Sequence, residues 1–201
     1  PLAFGTDHLA PVLYDFMARH PALNIDLLLD DRSVDLVGEG VDLGLRVSVT
    51  MADSGLISRV LRPVTRVIVG SPAYLDAHGR PDRPEALTAH PCLLYRNVPV
   101  ADQWRFSTPD GFRQFRGPER LRADNGTVML GAAVAGLGLA ELPDFIVSKA
   151  LADGRLELLL ADHSLQTSAL RLVYPPAGRL SAKVRALADF LTERFAAPAV
   201  L

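Results

Sequence analysis

The chain has 201 residues, 49% of them apolar, a formal net charge of −2 and one cysteine. That length and composition suit one large domain or two small ones around a core of ordinary size, and the near-balance of charge is not the footprint of a nucleic-acid surface. The lone Cys92 excludes an internal disulfide or a cysteine metal cluster, and no apolar run approaches the length of a membrane span.

In chain order, the first predicted element is a helix capped by Thr6, with Asp7 in its first turn and Leu9, Val12, Leu13, Phe16 and Met17 on one face. His20-Pro21 stops it. Ile25, Leu27 and Leu29 alternate as in a strand over Asn24 to Leu29. Ser33 caps a short helix carrying Leu36 and Val37, closed by Gly38 to Gly40. Val41, Leu43 and Leu45 alternate with polar or small residues as another strand. Strand, helix and strand with short links predict a parallel βαβ unit.

Leu56 to Leu61 and Val64 to Gly70 are further strands. Ser71-Pro72 offers an N-cap followed by Pro at the first helical position. Gly79 to Pro84 is a surface turn leading to a short helix near Glu85 to Thr88. Cys92 to Tyr95 is an apolar strand that buries the thiol as a small hydrophobe. Trp104 to Phe106 and Phe112 to Arg116, around Thr108-Pro109-Asp110-Gly111, read as a β-hairpin. A helix over Asp144 to Leu151, strands over Leu156 to Leu160 and Leu170 to Tyr174, and a final helix capped by Ser181 complete the chain. No repeat or low-complexity segment interrupts it.

The most informative stretch is Asp124-Asn125-Gly126-Thr127 followed by Ala132 to Pro143. It reads as a strand end, a polar turn, a helix of small residues, a Gly stop, a short apolar strand and a Pro break. Asn125 or Thr127 caps the exposed N–H groups, and those groups with the helix dipole make a seat for a small anion. No acid, base or nucleophile is grouped around it, so the stretch points to binding rather than catalysis.

Several motifs in register resemble a known family: Pro1-Leu2-Ala3-Phe4-Gly5, Phe16 to Pro21, Asp35 to Arg46, Ser71 to Leu75, His90-Pro91-Cys92-Leu93, Trp104-Arg105-Phe106, Ala135 to Gly138 with Leu142-Pro143, and Leu180 to Arg185. Their order and spacing are similar to the effector-binding domain of LysR-type transcriptional regulators, over essentially the whole chain. The resemblance implies an α/β fold like type II periplasmic binding proteins, with two Rossmann-like subdomains facing a cleft and joined by two crossover strands. Subdomain I is expected at 1–69 plus 173–201 and inserted subdomain II at 70–172, with crossovers near Val67–Gly70 and Arg171–Val173. It also implies an N-terminal helix-turn-helix that binds promoter DNA, absent from this chain, and assembly as a homodimer or homotetramer. The usual first strand would precede Pro1, which reads as the start of a fragment without an initiator Met.

Strand carboxyl ends collect ligands in open α/β sheets, and the family pattern selects the same positions. Ala3, Phe4, Gly5 and Thr6 are expected at the first strand-to-helix turn, with Thr6 offering its hydroxyl and N–H to a ligand carboxylate or acting as a plain cap. Arg46 closes a strand and pairs with an anion or with a rim carboxylate such as Asp42 or Asp31. Ser71 has overlapping cap and ligand roles. Arg96 and Asn97 follow a strand end, as ligand contacts or as a solvated loop. Asn125, Gly126 and Thr127 form the best single seat. Pro143 and Phe145 offer an apolar wall or plain packing.

Gly136-Leu137-Gly138 lacks the third glycine of a dinucleotide loop and precedes a strand rather than a helix. The five histidines are scattered without metal-ligand spacing, and no Gly-x-Ser-x-Gly elbow exists. The expected function is therefore a non-enzymatic, cytoplasmic regulatory module. It binds a small carboxylate-like effector, uses no cofactor or metal, contacts no membrane, and reaches promoter DNA through the missing domain. The alternative is a periplasmic solute-binding protein of a transporter, with the same cleft and a secretory signal upstream.

Overall fold

The computed structural model describes residues 1–49, 55–176 and 181–196. They form two compact units, one of the described residues up to Val64 and from Ser168 onward, the other Thr65–Thr167. Leu180, which opens the last family-like motif, lies outside the described residues.

The first unit opens with a continuous helical run: an α turn at Leu2–Phe4, a π turn at Gly5–Leu9, and helix α1 (Ala10–Arg19). The expected strand-to-helix turn at Ala3 to Thr6 is therefore already helix. Thr6 does not cap it: its hydroxyl donates to the Leu2 carbonyl four residues back at 2.8 Å, as a threonine inside a helix does. The Leu2 N–H, one of the donors a helix start leaves open, goes instead to Asp31 Oδ1 at 2.7 Å. Sequence alone does not reveal a cap supplied from so far along the chain.

Asn24 to Leu29 carries no strand pairing among the described residues. Leu27 is 42% exposed, so the alternation there does not meet a core. The turn that follows belongs to Asp35 rather than Ser33. Asp35 Oδ1 accepts from the Val37 N–H at 3.1 Å and its carbonyl accepts from Glu39 N at 3.0 Å. One turn forms and stops, burying Leu36 and leaving Val37 in solvent.

Strands β1 (Gly44–Ser48), β2 (Ile57–Val64) and, from the far end of the chain, β10 (Ser168–Tyr174) make a three-stranded sheet in the order β1-β10-β2. Both pairings are antiparallel, so the parallel βαβ unit expected here is not formed by the described residues. Helix α5 (Ala182–Phe195) starts at Ser181, whose Oγ accepts from Val184 N at 3.4 Å. It packs on α1, with Phe16 and Phe190 rings 5.2 Å apart and an Arg194–Asp15 ion pair.

In the second unit, β3 (Arg66–Gly70), β4 (Cys92–Tyr95), β7 (Glu119–Ala123), β8 (Leu139–Pro143) and β9 (Glu157–Leu159) form a sheet in the order β7-β4-β8-β3-β9. β4 runs parallel to β7 and β8, whereas β3 is antiparallel to both of its neighbours. The hairpin β5 (Arg105–Thr108) and β6 (Gly111–Gln114) pairs separately.

Side chains alternate between the two faces of this sheet. Val67, Val69, Leu93, Ala140 and Leu142 meet α3 (Gly126–Val134) and α4 (Asp144–Ala152) through Met129, Ala133 and Val147. Ile68, Leu94 and Leu139 meet α2 (Pro72–His78) and the hairpin through Leu75, Trp104 and Phe106. Each such large side chain stabilises the fold by about 1.5–3 kcal/mol. Helix α3 ends where Gly136 takes φ +75°, letting Leu137 N reach Ala132 O at 3.1 Å and Gly136 N reach Ala133 O at 3.0 Å.

The chain passes between the units at Val64/Thr65 and returns at Thr167/Ser168. Val67–Gly70 lies within β3 and Arg171–Val173 within β10, as expected of strands there. The break falls at Thr65, which separates β2 from β3.

Candidate functional site

In the second unit, β4, β7 and β8 are parallel, so Tyr95, Ala123 and Pro143 end at the same edge of the sheet. The residues that follow them gather there. Arg96 N donates to Ala123 O at 2.7 Å, and Asn97 Nδ2 donates to Asp124 O at 3.2 Å. These bonds tie the loop after β4 to the loop after β7. Asn125 Oδ1 accepts from Thr127 N at 2.9 Å and Val128 N at 3.1 Å, so it is the cap of α3. Gly126 is a close approach: a Cβ there would stand 2.5 Å from Ile146 Cδ1 of α4.

Pro143 ends β8 and Phe145 lies in the first turn of α4. Asp144 between them is buried. Its carboxylate accepts from Phe145 N at 2.8 Å, and its own N–H donates to Thr65 O at 2.9 Å. The start of α4 therefore already holds a negative charge, whereas α3 begins with a neutral amide. Arg96 is exposed and forms no ion pair among the described residues, although its charge acts on the Glu119 carboxylate. The start of α3 thus carries the positive end of its helix dipole, with the Thr127 and Val128 N–H groups already held by Asn125 and the adjoining turn tied to the Arg96-Asn97 loop.

Ser71 does not join this edge. It follows β3, which runs the other way, so it lies at the opposite end of the sheet. It is buried there, and its Oγ accepts from Tyr74 N at 3.4 Å. A Cβ on Gly136, just past the end of α3, would be 3.4 Å from that Oγ. Ser71 therefore lies between the start of α2, which it caps, and the end of α3, whose opposed dipoles offset each other for an anion.

In the first unit, Ala3, Phe4 and Gly5 are buried, with the Leu29 side chain packed where a Cβ of Gly5 would lie, and Thr6 is spent within its own helix. Arg46 makes no ion pair with Asp42 or Asp31. Its Nη2 donates to Val34 O at 2.5 Å. Directly across the β1–β10 ladder stands Arg171, which the sequence reading placed in a crossover. Each arginine sits in an ordinary alternating strand, and only the pairing register brings them together.

Two further titratable groups, Cys92 and His90, are buried. Burial pushes the Cys92 thiol up to about 11, against a hydrogen bond from Gly117 N at 3.2 Å, so it is no nucleophile at neutral pH. Burial, with the nearby His78, lowers the pKa of His90, whose Nδ1 lies 3.0 Å from Tyr74 Oη. Among the described residues no group of three or more His, Cys, Asp or Glu is placed to hold a metal ion. Among the described residues no helix is long and apolar enough to cross a membrane.

Comparison with known proteins matches residues 1–196 to the family described as LysR substrate binding domain. An HTH-type transcriptional regulator of Haemophilus influenzae is 37% identical over 184 residues, covering 92% of this chain and 64% of that protein. The probable HTH-type transcriptional regulator LtrA of Klebsiella pneumoniae is 32% identical over 196 residues, covering 96% and 63%. The CrgA regulatory domain, from a LysR-type regulator of Neisseria meningitidis, superposes with a TM-score of 0.81 at 27% identity, covering 96% of this chain and 95% of that one. Full-length AphB of Vibrio cholerae gives 0.79 at 27% identity, covering 96% and 65%. The chain thus spans a little under two thirds of the length of these whole regulators.

Proposed function

The chain belongs to the LysR substrate-binding domain family, and from that premise we propose that it is the effector-sensing part of a DNA-binding transcription regulator. Its α/β fold is that of LysR regulatory domains, which are type II periplasmic-binding-protein-like. The matched relatives are transcription regulators, neither enzymes nor transporter components, and the solute-carrier reading is not favoured. The observation that carries the proposal is the unbroken match over 1–196.

In this reading the protein is a cytoplasmic, non-catalytic homodimer or homotetramer, and a helix-turn-helix domain of the whole protein holds promoter DNA. A small anionic metabolite binds this chain more tightly in one arrangement than in another, and that difference sets how far the ligand shifts the regulator. Arg46 in the first unit, and Arg96, Asn97, Asn125, Gly126, Thr127, Pro143 and Phe145 in the second, are the proposed contacts. Arg46 and Arg96 supply positive charge, the α3 N-terminus supplies its dipole, and the rest supply shape. Ala3, Phe4 and Gly5 support them by packing, and Ser71 is assigned a cap only.

The test is a thermal-shift screen of the 201-residue chain against small carboxylates and neutral metabolites, followed by promoter binding of the whole regulator with each hit. A compound that raises the melting temperature and changes promoter occupancy is the expected result. If every stabilising compound leaves promoter occupancy unaltered, the regulatory reading fails.

A further inference from the structure

Resting on the reading of this chain as a sensor of a small anion, we infer that Arg46 and Arg171 together are its charge anchor, a two-guanidinium seat for a dicarboxylate. Register places Arg46 directly opposite Arg171 across β1 and β10. Opposed residues share one face of the sheet, with Cβ atoms about 4.5–5.5 Å apart. On that face the pair is flanked by Gly44 with Val173 on one side and by Ser48 with Ala169 on the other.

Both arginines are half-buried, and the described residues accept few of their N–H donors. Arg46 Nη2 donates to Val34 O at 2.5 Å. Arg171 Nη2 reaches Val49 O only at 3.4 Å, a long contact for a hydrogen bond. Arg171 Nε is buried with no hydrogen-bond partner. No Asp or Glu among the described residues forms an ion pair with either guanidinium.

Two like charges directly opposite in a ladder destabilise it, and half-buried charges are ordinarily paired. Each guanidinium carries five N–H donors in a planar fork, and the two backbone carbonyls use few of them. A species with two negative charges and coplanar acceptor pairs complements two such forks. Two carboxylates, each gripped by one fork, meet that description. A phosphate group offers the same charge with tetrahedral acceptors.

The test is isothermal titration of the 201-residue chain with succinate and, separately, inorganic phosphate, at ionic strength held constant with chloride. Succinate is expected to bind one-to-one, with affinity falling roughly 10- to 100-fold in Arg46→Gln and in Arg171→Gln. Arg120→Gln, on the exposed edge of the second unit, is expected to change nothing. Should Arg171→Gln fail to fold, Arg171→Lys keeps the charge without the fork and is expected to weaken succinate binding. Phosphate binding in place of succinate, lost in the same variants, overturns the dicarboxylate assignment. Absence of binding by either probe overturns the inference, as does binding indifferent to Arg46→Gln and Arg171→Gln. A metabolite that stabilises a chain carrying both Arg46→Gln and Arg171→Gln as it does the parent chain, and still alters promoter occupancy, removes this pair while leaving the regulatory function standing. One-to-one succinate binding with no promoter response to any anion does the reverse.

Discussion

Trp104 and Glu141 are joined backbone to side chain: the Trp104 N–H donates to Glu141 Oε2 at 2.6 Å. The other oxygen of Glu141 accepts from Arg66 Nε at 2.6 Å. Glu141 and Trp104 are both buried, and Trp104 sits at φ +57°, a conformation costly for a bulky residue. One carboxylate thus holds the start of the hairpin to the central sheet while neutralising Arg66. Glu141→Ala is expected to lower unfolding free energy by about 3–5 kcal/mol, because it strands a largely buried guanidinium. Denaturant midpoints check this, and a loss below about 1 kcal/mol would show that the tie is dispensable.

Asn125→Ala removes the acceptor for Thr127 N and Val128 N at the start of α3. It is expected to cost about 0.5–2 kcal/mol, most of it recovered by Asn125→Ser or Asn125→Asp. Those two replacements separate stability from binding. Asp places a negative charge at the proposed anion seat, so it is expected to weaken anion-induced thermal stabilisation that Ser preserves. Equal stabilisation in both variants would remove the start of α3 from the site.

The sequence was readable where the signal is local. Ser71-Pro72, Asn125 and Ser181 each begin the helix their residue types predict, since a cap is decided within four residues. The hairpin around Thr108 to Gly111 follows from its turn residues. What failed was non-local. Alternation at Asn24 to Leu29 says nothing about whether a partner strand exists, and the Leu2 N–H is capped by Asp31 from a different segment. Strand direction was also hidden. Ser71 follows a strand as Asn125 does, but β3 is antiparallel to β8, so the two residues lie at opposite ends of the sheet. Register likewise decides that Arg171 stands beside Arg46.

Ser71→Ala tests that difference of direction. It deletes an acceptor 3.4 Å from Tyr74 N in a buried position, and a cap so long is expected to be worth about 0.5–1 kcal/mol. Anion-induced stabilisation should be unchanged in this variant when compared with its own unliganded melting temperature. A loss of ligand response without loss of baseline stability would return Ser71 to the binding site.

His90 gives the fold a pH dependence with a definite sign. Burial and the neighbouring His78 lower its pKa below the ordinary value of 6.5, and its Nδ1 is engaged with Tyr74 Oη at 3.0 Å. Above that ordinary value folded and unfolded chains both hold the ring neutral, so it contributes no pH slope. As pH falls below it, the unfolded chain takes up the proton first, and stability drops until the folded pKa is passed. The melting temperature is therefore expected to fall between about pH 7 and pH 5, with a shallower slope in His90→Gln. Baseline stability of that variant at pH 8 serves as its reference, since the lost hydrogen bond acts there as well. An identical slope in the parent chain and in His90→Gln would assign the acid sensitivity to other groups.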